Sequence, residues 1–313
     1  MFAVKKINNV IEIIKADIMG YCMGVRRAVE SAEQAIKEFP QKEIFTLGPL
    51  IHNQNALEML EKKGVKVLQV KDYEFSHPID ENSVVIVRAH GVEPKLIKIL
   101  EKTGCKIINA TCPRVLSNQK RAADFAKRQF IVIIAGDKNH GEVTGLEGFV
   151  KEFCSNCYVI ENVKDAEFLL TEGTLSELNS DSQNIVLLSQ TTISPTEYQD
   201  IGNVLKTRFP NIQILNTICP ATTERQQALK KLCTQVDGVV VIGGKSSANT
   251  CRLFSMAQDF SNNPEYRCKF ACHIENPCEL PKEFYDLEVV GLTAGASTPD
   301  EVILSVEKSL SCN

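Results

Sequence analysis

Asn109-Ala110-Thr111-Cys112-Pro113 recurs downstream as Asn216-Thr217-Ile218-Cys219-Pro220, and that recurrence decides how the chain is read. Each copy follows a short apolar run, Lys106-Ile107-Ile108 in the first and Ile212-Gln213-Ile214-Leu215 in the second. Each has a glutamine seven residues past its cysteine, Gln119 and Gln226. At the same offset, Val132-Ile133-Ile134-Ala135-Gly136-Asp137-Lys138 falls on Val239-Val240-Val241-Ile242-Gly243-Gly244-Lys245, a strand followed by a glycine turn. Self-similarity of this kind means that one supersecondary unit is used more than once.

A third copy starts earlier. Ile11-Glu12-Ile13-Ile14-Lys15-Ala16 reads as a short buried strand, and the turn Met19-Gly20-Tyr21-Cys22-Met23-Gly24 follows it. Apolar residues at helical spacing from Val25 to Phe39 predict a helix that stops at Pro40. The strand Glu43–Leu47 then runs into Gly48-Pro49-Leu50-Ile51-His52-Asn53, a helix is expected over Asn55–Lys63, and the strand Ser83–Val87 delivers Arg88-Ala89-His90-Gly91. In the second copy the helix is expected over Asn118–Arg128 and the late strand over Asn184–Leu188, ahead of Ser189-Gln190-Thr191-Thr192. In the third copy a helix through Cys233 precedes the strand 238–242, and the strand Leu287–Gly291 precedes the small-residue loop Leu292–Thr298.

The units are therefore read as 1–104, 105–210 and 211–313. Each carries a cysteine after its first strand and a glycine after its second, followed four residues later by His52, His140 or Ser247. Each ends a late strand in a loop holding His90, Thr191 or Ser297. Alternating strands and helices predict small, mostly parallel sheets, with ligand-binding loops at the carboxyl ends of the strands. Three related α/β units in a pseudo-threefold, trefoil-like arrangement would bring Cys22, Cys112 and Cys219 together.

With 313 residues the chain is long enough for two or three domains at roughly 100 to 200 residues each. Its 24% charged and 43% apolar residues are ordinary for a globular protein, and no apolar run approaches the roughly 18 residues that span a bilayer. Met1–Val10 has neither the apolar core nor the small-residue cleavage site of a signal peptide, so a cytoplasmic location is expected. A net charge of −4 argues against a general nucleic-acid binder, which needs a basic face. In a reducing compartment twelve cysteines do not make a disulfide framework.

A single cysteine is most often a packing residue. The repeat removes that explanation for Cys22, Cys112 and Cys219. Three thiolates can hold zinc, an iron–sulfur cluster lacking its fourth protein ligand, or nothing. Structural zinc sites favour paired cysteines two to four residues apart, whereas these come one per unit. A cluster with three thiolates leaves one iron open to substrate. Cys154-Ser155-Asn156-Cys157 is a lone pair without zinc or redox context, Cys268, Cys272 and Cys278 match no zinc spacing, and Cys105, Cys233, Cys251 and Cys312 read as non-ligands.

Among the polar loop residues, His52, His90 and His140, three of five histidines, stand at equivalent strand ends with Ser247, Asn249 and Ser297. Histidines mixed with hydroxyls, amides and glycine turns suit a phosphate, with cationic donors and turn amides acting together. His77 and His273 fall off the pattern. The segment Gly238–Ser246 is not a P-loop, because Val239 stands where the Walker spacing needs glycine, and no dinucleotide fingerprint occurs. Glu142, two residues past His140, is the candidate proton donor, and Thr191 is placed to relay a proton to a substrate hydroxyl.

Taken together, Gly20-Tyr21-Cys22-Met23-Gly24-Val25, Gly48-Pro49-Leu50-Ile51-His52-Asn53, Arg88-Ala89-His90-Gly91-Val92, Ala110-Thr111-Cys112-Pro113, His140-Gly141-Glu142-Val143, Gln190-Thr191-Thr192-Ile193-Ser194, Ile218-Cys219-Pro220-Ala221-Thr222-Thr223 and Thr293–Pro299 resemble the 4-hydroxy-3-methylbut-2-enyl diphosphate reductase family, over about residues 11 to 307. The resemblance implies a 4Fe-4S cluster with three cysteine ligands, Cys22, Cys112 and Cys219, and one open iron. It implies that His52, His90, His140, Ser247, Asn249 and Ser297 bind an allylic diphosphate, that Glu142 and Thr191 are catalytic, and that ferredoxin or flavodoxin supplies electrons. The expected reaction is the last step of the methylerythritol phosphate route to isoprenoids, giving isopentenyl and dimethylallyl diphosphate.

Two positions depart from that family's pattern. Ser246-Ser247-Ala248-Asn249-Thr250 stands where Asn-Ser-Ser-Asn-Ser is usual, which removes a hydroxyl, and His140-Gly141-Glu142 stands for His-Pro-Glu, which loosens the turn. Two other readings use the same fold, a non-catalytic iron–sulfur redox sensor and a zinc-stabilised protein. The first accounts for the cysteines and not for the proton donor and phosphate residues.

Overall fold

In the computed structural model, residues 11–173, 175–176 and 184–311 are described, and Cys312 lies outside them. The chain begins with β1 (Glu12–Lys15), α1 (Met23–Glu38), β2 (Glu43–Leu47), α2 (Gln54–Lys62) and β3 (Val65–Leu68). Two short strands, β4 (Val70–Lys71) and β5 (Glu74–Phe75), precede β6 (Ser83–Val87) and α3 (Pro94–Glu101). The middle of the chain forms β7 (Lys106–Asn109), α4 (Pro113–Lys127), β8 (Ile131–Ala135), α5 (Gly141–Lys151), β9 (Cys157–Ile160), α6 (Val163–Thr171), β10 (Ile185–Ser189) and α7 (Pro195–Arg208). The last part forms β11 (Gln213–Ile214), α8 (Pro220–Cys233), β12 (Gly238–Ile242), α9 (Ala248–Asn262), β13 (Phe270–Ile274), β14 (Val289–Ala294) and α10 (Asp300–Ser311). The α/β class read from the sequence is the observed one, and no described helix is long and apolar enough to cross a membrane.

Two boundaries differ from expectation for physical reasons. α4 begins at Pro113, directly after Cys112, and not at Asn118, because proline's fixed φ suits the first helical position, where its missing N–H costs nothing. β14 runs three residues past Gly291, into the stretch expected to be loop. It is a central strand with β1 on one side and β12 on the other, and both ladders continue through Leu292.

Three parallel four-stranded sheets carry the fold, in the orders β3-β2-β6-β7, β9-β8-β10-β11 and β13-β12-β14-β1. The orders are equivalent position by position. In each, the outermost strand at one edge is the strand that leads to a cysteine. β7 and β11 follow the sequence boundaries at 104/105 and 210/211, yet pair with β6 and β10 from before those boundaries. β1 closes the sheet built from the other end of the chain, with Glu12 opposite Val289 and Lys15 opposite Leu292.

The described residues fall into two compact units. One comprises those up to Arg26, Ile51–Met59 and those from Pro220 onward; the other comprises Arg27–Leu50 and Leu60–Cys219. In the second unit, β8 shows why its strand is apolar throughout. Ile131, Ile133 and Ala135 face Ala166, Leu169, Tyr198, Ile201 and Leu205 of α6 and α7, while Val132 and Ile134 face Ala122 and Ala126 of α4 and Val143, Leu146 and Val150 of α5. A strand buried on both faces cannot alternate with polar residues. In the first unit β12 is sandwiched in the same way, with Val240 and Ile242 in one cluster and Val239 and Val241 in the other.

Tyr198 of α7 holds the short strand β11 in place. Its hydroxyl lies 3.0 Å from the Leu187 carbonyl oxygen and 2.7 Å from that of Leu215, and burial pushes its ionisation up. Removing the hydroxyl leaves a buried acceptor short of a donor, at a cost of about 1–2 kcal/mol. Tyr198→Phe is therefore expected to lower unfolding free energy by that amount in urea titrations, with the midpoint reduced and the slope unchanged.

Candidate functional site

The three strand-end cysteines share one backbone device. Cys22 N–H donates to the Ala296 carbonyl at 3.0 Å, Cys112 N–H to Ala89 at 2.9 Å, and Cys219 N–H to Thr191 at 2.9 Å. The three acceptors each stand two residues past the end of a central strand, β14, β6 and β10 respectively. Each cysteine also stands immediately before a helix, α1, α4 or α8. The partial positive charge of a helix N-terminus favours an anionic group there.

Local side chains fix these loops. Asn109 Oδ1 accepts from Thr111 N–H at 3.0 Å, an Asx-type turn that ends β7, and Arg27 Nη1 donates to the Thr111 carbonyl at 2.7 Å. Before Cys219, Thr217 Oγ1 accepts from Ser189 N–H at 2.7 Å, and Asn118 Nδ2 of α4 donates to the Thr217 carbonyl at 3.2 Å. Before Cys22, Arg225 Nη2 of α8 donates to the Gly20 carbonyl at 2.7 Å.

The other described cysteines behave differently. Cys154 is buried in the core under α5, and desolvation, reinforced by Glu147, pushes the Cys157 thiol up to about 12. A thiol raised that far stays protonated, which makes Cys157 a poor ligand. Cys268 and Cys272 are buried in separate core clusters, and Cys278 is exposed.

Within the second unit the acid–base residues meet. Glu142, in the first turn of α5, is fully buried. Its Oε1 accepts from Thr191 N–H at 2.8 Å and its Oε2 from the Thr191 hydroxyl at 2.7 Å. A buried carboxyl needs such donors, because desolvation without them costs several kcal/mol, of the order of 2–7 for a neutral polar group and far more for a charge. Thr191 thus uses its carbonyl for the Cys219 amide and both its donors for Glu142. Gln190, fully buried beside it, accepts from Asp137 N–H through Oε1 at 2.8 Å and donates to Thr192 Oγ1 at 2.9 Å.

His140 caps α5. Its Nδ1 accepts from Glu142 N–H at 3.2 Å, so the neutral ring carries its proton on Nε2 and presents that nitrogen as a donor. The His90 ring meets it edge to face, with centroids 5.1 Å apart. The His90 turn rests on α4. Gly91 has φ +72°, and a Cβ there would stand 2.4 Å from Gln119 Nε2, so only glycine fits. Gln119, noticed in the sequence only as a repeated position, is the surface on which that turn is moulded.

In the first unit, Ser247 caps α9, accepting from Thr250 N–H at 3.4 Å. Asn249 follows it in the first turn, buried, and its Nδ2 has no hydrogen-bond partner among the described residues. A buried amide donor left open at a helix N-terminus suits an anion. Ser297 Oγ donates to the His52 carbonyl at 2.9 Å, which fixes the backbone that carries His52.

Arg88 did not emerge from the sequence as a site residue. It ends the apolar run of β6 and turns back, with Nε donating to the Gly91 carbonyl at 3.2 Å. Burial, with no charged partner, holds its guanidinium below its ordinary range. A charged residue closing an otherwise apolar strand is the signal that marks it.

A family model described as LytB protein matches residues 13–311. A Treponema denticola protein named 4-hydroxy-3-methylbut-2-enyl diphosphate reductase is 42% identical over 298 residues, covering 95% of this chain and 98% of its own. An Aquifex aeolicus protein of the same name is 33% identical over 301 residues, with 96% of each chain covered. A solved structure described as (E)-4-hydroxy-3-methyl-but-2-enyl diphosphate reductase, the terminal enzyme of the non-mevalonate pathway, superposes with a TM-score of 0.70 at 32% identity, over 96% of this chain and 99% of the other. The reductase structure from Plasmodium falciparum gives a TM-score of 0.79 at 29% identity, over 95% and 86%. Matched by that family model over residues 13–311 and 42% identical to a relative over 95% of its length, the chain belongs to the LytB family.

Proposed function

We propose that this protein is a 4-hydroxy-3-methylbut-2-enyl diphosphate reductase, which replaces the allylic hydroxyl of its substrate by hydrogen to give isopentenyl and dimethylallyl diphosphate. The observation that carries the reading is the Glu142 carboxyl, fully buried and held on both oxygens by Thr191. Relatives bearing that enzyme's name along almost the whole chain support it. The balance is one hydroxyl, two electrons and two protons consumed, and one water and one new C–H bond formed.

Cys22, Cys112 and Cys219 are the proposed ligands of one 4Fe-4S cluster. The donor set fits such a group: three thiols, neither packed in a core nor paired as disulfides, each ahead of a helix and each with its amide already bonded to protein. When bound, the cluster supplies single electrons and an iron that lacks a protein ligand. Ferredoxin or flavodoxin is the proposed electron donor.

The rest of the work falls to side chains. His52, His90, His140, Ser247, Asn249 and Ser297 are proposed to bind the diphosphate, His140 as a ring N–H donor whose Nδ1 is taken by its cap bond and Asn249 through its open Nδ2. The three units 1–104, 105–210 and 211–313 then each contribute one cysteine and two polar strand-end loops. Glu142 in its protonated form donates the proton that leaves with the hydroxyl. The Thr191 hydroxyl, no longer needed by a carboxylate, turns toward the substrate oxygen and orients it. Burial keeps bulk water from competing for that proton. The open backbone amide at Gly141 and the missing hydroxyl at Ala248 alter affinity and leave the proton path intact.

Anaerobic assay of the reconstituted protein with reduced viologen and the hydroxylated diphosphate tests the reading. Turnover to both products is expected, and a full cluster with no turnover overturns it. Glu142→Gln is expected to retain the cluster's absorbance and to lose about a hundredfold or more in kcat, the usual contribution of a positioned general acid. Cys112→Ser should lose iron, sulfide and activity together, while Cys154→Ser keeps all three, as iron analysis and the same assay will report.

A further inference from the structure

The guanidinium of Arg88 lies close to three glycines, Gly48, Gly91 and Gly141. Its Nε donates to the Gly91 carbonyl at 3.2 Å. A Cβ added at Gly48 would stand 3.0 Å from Nη1, and one at Gly141 would stand 2.6 Å from Nη2 and 2.8 Å from Cζ. Gly91 directly follows His90 and Gly141 directly follows His140. The cation therefore lies at the residues that directly follow both histidines, whose rings are themselves in edge-to-face contact at 5.1 Å.

Among the described residues no carboxylate stands within ion-pair distance of Arg88, and desolvation alone acts on its charge. Arginine does not give up its proton in proteins. A largely desolvated cation without a counter-ion is destabilising unless an anion completes it. A planar fork of N–H donors matches pairs of phosphate oxygens better than any other side chain.

We propose that Arg88 is a further anion-recognition residue, acting with His90 and His140 on the substrate's diphosphate, and that Gly141 lacks a side chain because the guanidinium occupies its place. The proposal rests on the reductase reading above, from which it takes the diphosphate. It also gives a physical reason for the glycine between His140 and Glu142, since a residue with a Cβ there would push the Arg88 head off its seat.

Calorimetric titration of the cluster-loaded protein with inorganic pyrophosphate, at several salt concentrations, tests this. Arg88→Met is expected to weaken binding by about ten- to a hundredfold, the range for losing a hydrogen bond to a charged group, and to flatten the salt dependence. Arg88→Lys should recover part of the affinity and most of the salt dependence, which a purely structural role would not restore. Gly141→Ala keeps the charge and displaces it, and is expected to weaken binding in the same direction. Wild-type affinity in Arg88→Met overturns the proposal, as does a lysine variant as weak and as salt-insensitive as the methionine one. Should Arg88→Met not fold, Gly141→Ala decides alone, and unchanged affinity there overturns the proposal. If the unaltered protein fails to bind pyrophosphate, the diphosphate reading itself falls; if it binds and only the variants are indifferent, that reading stands and Arg88 is removed from it.

Discussion

One backbone hydrogen bond, made three times, fixes where the sulfurs stand. Each cysteine amide donates to a carbonyl two residues beyond the end of a central strand, Ala296, Ala89 or Thr191. Parallel pairing sets the register of those strands to the residue, so the acceptor's position is inherited from the sheet and not from a flexible loop. The helix that starts right after each cysteine fixes the outgoing direction of the chain. Between a registered strand and a helix start, little freedom remains for the side chain in between. This is how a rigid scaffold positions reactive groups that themselves sit in loops.

Thr191 shows how tightly the acid is tied to that frame. Its carbonyl belongs to the Cys219 loop, and its N–H and hydroxyl belong to Glu142. A shift of this residue moves a cysteine and a carboxyl together. Gln190, bonded to the turn after β8 and to Thr192, keeps that residue from drifting. Arg88 has the corresponding place on the His90 turn, where Gln119 stands close to Gly91 and the guanidinium bonds the Gly91 carbonyl. Polar groups packed this closely have few alternative arrangements, which favours one geometry at the cost of tolerance to substitution.

Much of this was legible in the residues. Apolar runs such as Val132–Ala135 and Val239–Ile242, with glycine after them, reveal strands buried on both faces, and a repeated Asn-x-x-Cys-Pro reveals that a strand end matters. Glu142 and Thr191 were picked out by residue type and position, and they do lie in hydrogen-bonding contact. The strand exchange was not legible. Periodicity reports which face of a segment is buried and is silent on which distant segment pairs with it, so Lys106–Asn109 looked like the opening of a unit when it is the edge of the preceding sheet. Arg88 was hidden for a related reason. Its role comes from two glycines, Gly48 and Gly141, far away in the chain, whose missing side chains make room for it.

The pairing of β1 with β14 sets a timetable on the growing chain. Glu12 finds its partner only at Val289, so the earliest described strand emerges from the ribosome long before the strand it pairs with has been made. The sheets built on β2 and β8 have all their strands in hand by the time β11 is made, and each can close during synthesis. β1 must instead wait, with Ile13 and Ile14 unpaired, until Val289–Leu292 have been made, and a contact of such long sequence separation is slow to form. Because Cys22 hangs from that strand, its amide bond to Ala296 is the last of the three to become available. A group held by all three cysteines in this geometry can be seated only once the chain through Ala296 has been made.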